Sequence, residues 1–596
     1  FAFRGRKGSS KQRPRAILFH RRDNTVTRKP VFINKDPDPQ IQALGRGRLD
    51  FSGALLVATR LVRDIARAPA ATERRQLASL AAALDRPDYQ RQKQAYFLYR
   101  EITAGLAAAA AGHPDPVTGE MALALLEARL GHAHYGLHRA AAEAIGSLPL
   151  TIAPPILGDD TLVGIDPAAP PAALDPAWLR SHGVAGSETG RWIGRSLVLD
   201  AGSRGLLVVK FMRRDESPSN LAREACWMAR LRSWRDTFDA PFAIPTPLGP
   251  PSGAGLMRWA ASPHLPADPP PGLDPHRRVL AFRAAADYFR YPNSPVGMNR
   301  LPPDRVGKIL GRCARLLGQA LARDVVHTAP IPLFHNRTQQ HRRTDGGVYD
   351  WPRAGRLDRW LHSCRYPNLA QSGLRDFEHF ALRDDTAFSR YEWVGVHLLS
   401  LFLVAGSYFR MAAPARVGTD PRGRPVDARD LFEPQLLAAM IRSICTGYRQ
   451  GFAGANGADW LPFDLEAVVA RMIEEMGVDR HMEEILRRAD QRALGRAEFE
   501  RFLTDRGVAR EKAAAMPQGE ADIVLATGPH LGGFNQSISL PELIRMTGAV
   551  AADGIAGRFR RERGWPASGR WKDQVVEDQP PEGRPGGAVE SPAQMR

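Results

Sequence analysis

The chain has 596 residues, 43% of them hydrophobic, enough to bury large cores and to divide into two or more domains. Its formal net charge is +18, but much of the excess falls in the first fifty residues (GRKGSSKQRPR, FHRRDNTVTRKP), in an Arg-, Ala-, Gly- and Pro-rich composition. Basic runs without interleaved aromatics argue against a nucleic-acid binder, and four scattered cysteines with no CxxC support neither a zinc site nor a disulfide scaffold and suit a reducing compartment.

Residues 1–50 are basic, Gly-rich and without apolar periodicity, which predicts a disordered arm. Within it, IQALGRG (Ile41–Gly47) matches only the first part of a calmodulin-binding IQ motif, because Phe51 stands where the final basic residue belongs. The chain begins at Phe1 rather than Met, so a processed leader stays open, although nothing in it resembles a signal. Residues 51–150 are Ala/Leu-rich and helical in character. Thr118–Leu150 reads as helix, turn and helix, with Leu137, Ala141, Ala144 and Ile145 on one face. HYGLHRAAAEAIGSL resembles the second helix of a HEAT-type repeat, so this region is expected to be a HEAT-like structural module. A Pro-rich linker follows over residues 151–177.

The pattern then changes. SLVLDAGSRGLLVVKFMR (Ser196–Arg213) holds two β-rich runs around a turn, and Asn220–Trp234 follows at helical period, with Leu221, Ala225, Met228 and Leu231 on one face. Beyond a Pro-rich passage (residues 241–275) the sequence reads as mostly helical to about residue 560, divided into a core over 178–430 and a helical region over 431–565, with a disordered tail over 566–596. The most apolar stretch, Trp393–Phe409, is interrupted by His397 and Ser400 and falls short of the roughly 20 residues that span a bilayer. It reads as a buried helix, and no membrane partner is expected.

A hairpin followed by a helix can build a phosphate site when a Lys on the second strand is held by a Glu from that helix. Lys210 ends the run LLVVK and Glu224 lies 14 residues on; upstream, Gly183, Gly186, Gly190 and Gly194 offer backbone amides, and Arg195 a permanent charge. Taken alone, Lys210 and Glu224 read as solvated charges. The order continues, however, with an amphipathic helix from Ile309 running into His327 and with CRYPNLAQSGLRDFEHF, where Asn368 precedes Asp376 by eight residues. Asn and Asp at that separation can offer hard oxygen ligands to one Mg²⁺. His327 is followed by Thr328 and Ala329, so the Asp that serves kinases as catalytic base is missing. Such a site suits an acceptor that needs no deprotonation, such as a carboxylate. The intervening stretch is rich in Arg and His, a candidate second anion pocket against the alternative of a solvated basic loop.

Over Arg191–Phe380, and most closely in GRLDRWLHSCRYPNLAQSGLRDFEHF, the chain resembles the SidJ-type pseudokinases, a family of kinase-fold protein polyglutamylases. The resemblance implies an α+β, protein-kinase-like bilobal fold, with a small β-rich N-lobe and a large helical C-lobe. It implies ATP and Mg²⁺ as cofactors, a protein substrate and free glutamate as partners, and glutamylation of acceptor glutamates through an acyl-adenylate. By residue, Arg195 and Lys210 match the family's phosphate contacts, Glu224 its Lys-pairing acid, and Tyr366, Asn368 and Asp376 its Tyr-x-Asn and metal-binding Asp. His327, Arg337 and Arg356 fit its displaced second nucleotide pocket, with Asn535 a further candidate. The chain departs from the pattern at His379, where the family has a second acidic residue; Glu378 is the acid beside it. The best-known members are activated by calmodulin through a C-terminal IQ helix; this chain has no convincing IQ motif in its C-terminal half, so either another protein activator serves it or the lobe is constitutively ordered. Location in the cytoplasm, or as a secreted effector, is expected. The alternatives are a catalytically inactive nucleotide-binding scaffold and an AMP-transferase or kinase on the same fold.

Overall fold

The computed structural model describes residues 37–132, 134–151, 172–214, 216–234, 243–249, 256–266, 270–274, 277–293, 301–331, 367–386, 388–410, 416–419, 425–427, 434–454, 461, 463–475, 496–504, 509–515 and 541–566. The fold is mixed α+β. It begins inside the stretch read as a basic arm, with α1 (Pro37–Gly45). Ile41 and Leu44 of that helix are buried, so the apolar positions of the IQ-like segment are committed to packing. Six helices follow: α2 (Phe51–Arg67), α3 (Arg74–Leu84), α4 (Pro87–Gln90), α5 (Ala95–Gly112), α6 (Pro116–Glu127) and α7 (Tyr135–Gly146). Their starts are chemically marked. Asp50 accepts from the Gly53 amide ahead of α2, and Asp115 accepts from Val117 and Thr118 ahead of α6. The helix–turn–helix read from Thr118 onward is α6 and α7, and Leu137, Ala141, Ala144 and Ile145 are all buried.

The expected linker ends in structure. Strand β1 (Ala173–Leu174) and helix α8 (Pro176–Ser181) lie in or against it. Strands β2 (Arg191–Ile193), β3 (Ser196–Asp200) and β4 (Leu206–Phe211) form an antiparallel meander, followed by helix α9 (Pro218–Ser233) and strands β5 (Thr246–Pro247), β6 (Leu256–Trp259) and β7 (Arg278–Ala284). The sheet runs β1-β6-β7-β4-β3-β2, with β5 on β7 and only the β1–β6 pair parallel. Alternation along β4 sorts its side chains. Leu206 and Val208 join the core that includes α9, whereas Leu207, Val209 and Phe211 join a second core with Trp178 of α8, Trp192 and Trp259. Lys210 is therefore on the α9 face by period alone.

Below the sheet stand α10 (Pro303–Leu321), β8 (Val325–His327), β9 (Leu369–Ala370), β10 (Gly373–Leu374), β11 (Phe380–Leu382) and α11 (Arg390–Arg410). Strand β8 pairs with β11 and β9 with β10, both antiparallel. Then come β12 (Arg416–Thr419), β13 (Pro425–Asp427), α12 (Pro434–Ala453), α13 (Leu465–Glu475), α14 (Arg496–Thr504), α15 (Arg510–Ala515) and α16 (Pro541–Glu562). Helix α11 is the buried helix that the apolar run predicts, and no helix among the described residues is long and apolar enough to cross a membrane. Helix α16 packs on α7, α11 and α12. Its Arg560 grips Glu127 of α6 at 2.6 and 2.5 Å, and the Thr151 amide donates to Glu562 at 2.6 Å. The N-terminal helices are thus fastened to the last described helix.

Helices α10 and α12 approach backbone to backbone through glycines. A β-carbon on Gly451 would stand 2.0 Å from the Arg315 carbonyl oxygen, and one on Gly318 would stand 2.4 Å from that of Tyr448. Gly451→Ala should therefore destabilise by ~1–3 kcal/mol, because forced separation of the helices outweighs the gain in helix propensity. Gly557→Ala, whose β-carbon would meet Ala453 at an ordinary 3.6 Å, should be neutral or stabilising by up to ~1 kcal/mol. Denaturant melts of the two variants against the parent check this; equal effects would show that the glycine contact is not tight.

Candidate functional site

A cleft of about 760 Å³ lies between the β2–β3 turn, the end of β4, α9, the segment after β7 and the turn at Asp376. Its chemistry begins with the two-residue turn Gly194-Arg195, closed by the Ile193–Ser196 pair. Gly194 has φ +57 at the first central position, which favours glycine. The turn brings Arg195 to the cleft, where its guanidinium donates to Glu216 and Glu378, both at 2.5 Å. Glu216 also accepts from the Arg213 amide, at 3.1 Å, so the acid is fixed from behind.

Lys210 is only 5% exposed and Glu224 only 1%. Their contact, Nζ to Oε2 at 2.7 Å, is the ion pair that the strand–helix spacing predicts. Glu224 reaches Lys210 because it shares the buried face of α9 with Leu221, Ala225, Met228 and Leu231. Lys210 also lies 3.6 Å from Glu378 and 3.9 Å from Asp376. Burial works against its charge, but Glu224, Glu378 and Asp376 outweigh burial and hold its pKa above the ordinary lysine value. Burial pushes Glu224 up to about 7 against the pull of Lys210, with Glu378 and Asp376 adding to the rise. Burial acts the same way on Glu378, but Lys210 and Arg195 prevail and hold it below the usual range.

Asp376 has left-handed backbone (φ 51, ψ 60), a conformation shared among the described non-glycine residues only with Asp324. The turn that follows, Phe377–His379, closes with the His379 amide donating to the Asp376 carbonyl at 2.9 Å. Phe377 and Phe380 are buried to either side, and Phe380 faces Trp227 of α9 at 6.0 Å between ring centroids. Two apolar anchors thus hold the loop against the helix that carries Glu224, and leave the Asp376 side chain 27% exposed at the cleft.

Arg195, Lys210, Glu224 and Asp376, read from four separated stretches, all line this one cleft. Asn368 does not line it: it is buried, and its amide donates to the Ala329 carbonyl at 2.7 Å. Asn368, expected to join Asp376 as a metal ligand, braces the loop beside it, with its backbone carbonyl accepting from the Arg375 amide at 2.9 Å. His327, expected in a second nucleotide pocket, is fully buried. Its Nδ1 accepts from the Ala329 amide and its Nε2 donates to the Arg375 carbonyl at 2.9 Å, the neutral tautomer that this network requires. It pins the Asp376 turn from behind. Tyr366, Arg337, Arg356 and Asn535 lie outside the described residues. Of the four glycines, only Gly194 lines the cleft; Gly190 packs against Leu197, so the anticipated glycine-rich loop is a tight hairpin turn.

Sequence reading missed the aromatic wall of the cleft. The Arg375 guanidinium stands 5.4, 4.9 and 5.0 Å from the ring centroids of Tyr288, Phe289 and Tyr291. The signal was the density of rings in DYFRY (Asp287–Tyr291) directly after an apolar run. Among the described residues no group of three or more His, Cys, Asp or Glu is arranged to hold a metal ion. The sequence matches no protein-family model, and no curated protein matches it.

Glu224 gives a pH test. An acid raised in the fold keeps a proton that the unfolded chain has released at roughly pH 4.3. The associated stability is complete below that value and is lost as pH rises through about 7. Glu224→Gln cannot ionise, so its melting temperature relative to the parent should rise between about pH 5 and pH 8, by the equivalent of ~1 kcal/mol or more. Parallel thermal melts across that range check it, and a constant difference would mean that Glu224 is already charged at pH 5.

Proposed function

We propose that the protein is an ATP- and Mg²⁺-dependent protein-modifying pseudokinase of the SidJ type, which glutamylates acceptor glutamates through an acyl-adenylate. The observation that carries this reading is the meeting of Lys210, Glu224, Arg195 and Asp376 in one cleft. A strand lysine paired to a helix glutamate and facing an aspartate ahead of a short turn is the arrangement with which kinase folds hold nucleotide phosphates. On this reading the sheet with α9 is the small lobe of a kinase-like bilobal fold, the helices from α10 onward form the large lobe, and the α1–α7 helices are a HEAT-like module docked on it.

The residues of the cleft suit this chemistry. Lys210 and Arg195 are the cations for phosphate oxygens, and the rings of Tyr288, Phe289 and Tyr291 offer a flat apolar wall for a base. Magnesium, when bound, supplies neutralising charge to the phosphates, and Asp376 and Glu378 are the hard oxygen donors in the cleft that would hold it. Asn368, expected as a further metal ligand, stands outside the cleft lining with its amide nitrogen on the Ala329 carbonyl.

Where kinases keep their base, this chain has Ala329, fully buried. A carboxylate acceptor needs no proton removed. Its oxygen attacks the α-phosphorus of ATP, the bond to pyrophosphate breaks, and the acyl group is joined to AMP. The amine of free glutamate then attacks the acyl carbon, an amide forms, and AMP leaves as the amine loses its proton. A second reading, a nucleotide-binding regulatory pseudokinase without turnover, is favoured by one feature: Glu378 already satisfies Arg195 and Lys210.

The two readings part in one assay. The protein is incubated with Mg²⁺, free glutamate, a lysate supplying acceptor proteins, and ATP labelled at the α- or γ-phosphate. Glutamate-dependent AMP release is expected, and Asp376→Asn should lower it about 100-fold or more. Transfer of the γ-label to protein would overturn the proposal in favour of a kinase, and nucleotide binding with no AMP release would favour the inactive reading.

A further inference from the structure

Six ionisable groups crowd the centre of the cleft. Arg195 and Lys210 face Glu216, Glu224, Asp376 and Glu378, two cations against four acids. Arg213, Arg223 and Arg375 also line the cleft, and Arg375, held in its aromatic wall, faces Asp376 electrostatically. Arg195 and Lys210 are the two groups that would meet a phosphate, and one carboxylate oxygen stands between them. Glu378 Oε2 lies 2.5 Å from Arg195 and 3.6 Å from Lys210, while Oε1 faces His379 at 3.6 Å. Resting on the reading of this cleft as a phosphate site, we propose that Glu378 is its built-in occupant. Its carboxylate takes the position of a phosphate oxygen and shuts free anions out until a divalent cation draws that charge away.

The other acids differ from Glu378 in what they hold. Glu224 is almost fully buried behind Lys210, and Glu216 is tied to the Arg213 amide as well as to Arg195. Both are braces that an incoming anion need not move. Glu378 is on the short turn after Asp376, with its side chain 22% exposed. Its neighbour Phe377 supplies the packing of the turn, so the Glu378 carboxylate is not itself an apolar anchor. Two like charges a few ångströms apart, a phosphate oxygen and the Glu378 carboxylate, repel more strongly in a partly buried cleft than in bulk water, which disfavours an anion that arrives alone. A hard cation shared with Asp376 removes that repulsion and frees Arg195 and Lys210 together.

Inorganic tripolyphosphate is the probe, because it carries no nucleoside and so reports on the phosphate site alone. Its binding to the full chain is measured by calorimetry, in chelator and in Mg²⁺. The parent should bind it at least about tenfold more tightly with Mg²⁺ than without. Glu378→Gln should bind it in chelator at least about tenfold more tightly than the parent does, and should gain little from Mg²⁺. Glu216→Gln removes the same charge from the other side of Arg195 and leaves the occupant in place, so it should gain far less. Equal gains from the two variants would overturn the proposal by reducing it to net charge, as would Mg²⁺-independent binding by the parent. Tripolyphosphate binding to none of the three proteins, with or without Mg²⁺, would instead overturn the phosphate-site reading itself. Thermal melts confirm that each variant is folded before it is titrated.

Discussion

The cleft depends on one buried ammonium group. Lys210 on the inner face of the sheet is all but removed from water, and an unpaired charge there would cost several kcal/mol. The fold answers with Glu224, which is more deeply buried than the lysine it serves. That answer works only if β4 keeps its register on β3 and β7, with Lys210 opposite Ser196 and Leu280, and if α9 lays the face containing Leu221 and Met228 on the sheet. A one-residue slip of β4 would turn Lys210 into the Trp192–Trp259 core and leave Glu224 buried alone. Packing and electrostatics therefore specify the same register.

The second half of the cleft is held by different means. The Asp376 turn is positioned by buried neighbours on every side: Phe377 and Phe380 against α9, the His327 ring on the Arg375 carbonyl, and Asn368 bracing the same loop. Thr328 adds two contacts to the His379 carbonyl, at 2.7 Å from its amide and 3.0 Å from its hydroxyl. These groups act as a rigid shelf, and the left-handed backbone at Asp376 is the local strain that the shelf sustains. Further out, α10, α11, α12 and α16 form the support, and the Arg560–Glu127 pair ties the N-terminal helices to it.

Much of this was legible in the sequence where local pattern and tertiary need agree. The β3–β4 hairpin, helix α9, the α6–α7 pair and buried α11 each had the right period and length, and the Lys210–Glu224 spacing followed from placing one on a strand end and the other on the next helix. Strand β7 was hidden in sequence read as helical. RVLAFRA is a central strand covered on both faces, so it shows a continuous apolar run instead of alternation, and its Ala and Leu content suits a helix equally well. Helix α1 was hidden by the charge around it, since its two buried residues, Ile41 and Leu44, are too few to make a period. The metal role expected of Asn368 followed from its distance along the chain to Asp376. Chain distance does not fix the contacts of a side chain, and the hydrogen bond from the Asn368 amide nitrogen to Ala329 is one that no spacing predicts.

The change at the base position and the change at Glu378 bear on one another. Where a kinase needs an open glycine after its metal-binding Asp and Phe, this chain has a carboxylate that reaches Arg195 and Lys210. Where a kinase needs an Asp to take a proton, it has Ala329 in a sealed core. On the proposed reading, a phosphoryl acceptor of hydroxyl type would find no base, and a free polyphosphate would find Arg195 and Lys210 already engaged. A nucleotide that arrives with its cation offsets the Glu378 charge on that reading, and a carboxylate acceptor needs no base. Net charge does not decide the matter, since Arg213, Arg223 and Arg375 also line the cleft; on the proposed reading it is the placement of one carboxylate between Arg195 and Lys210 that does.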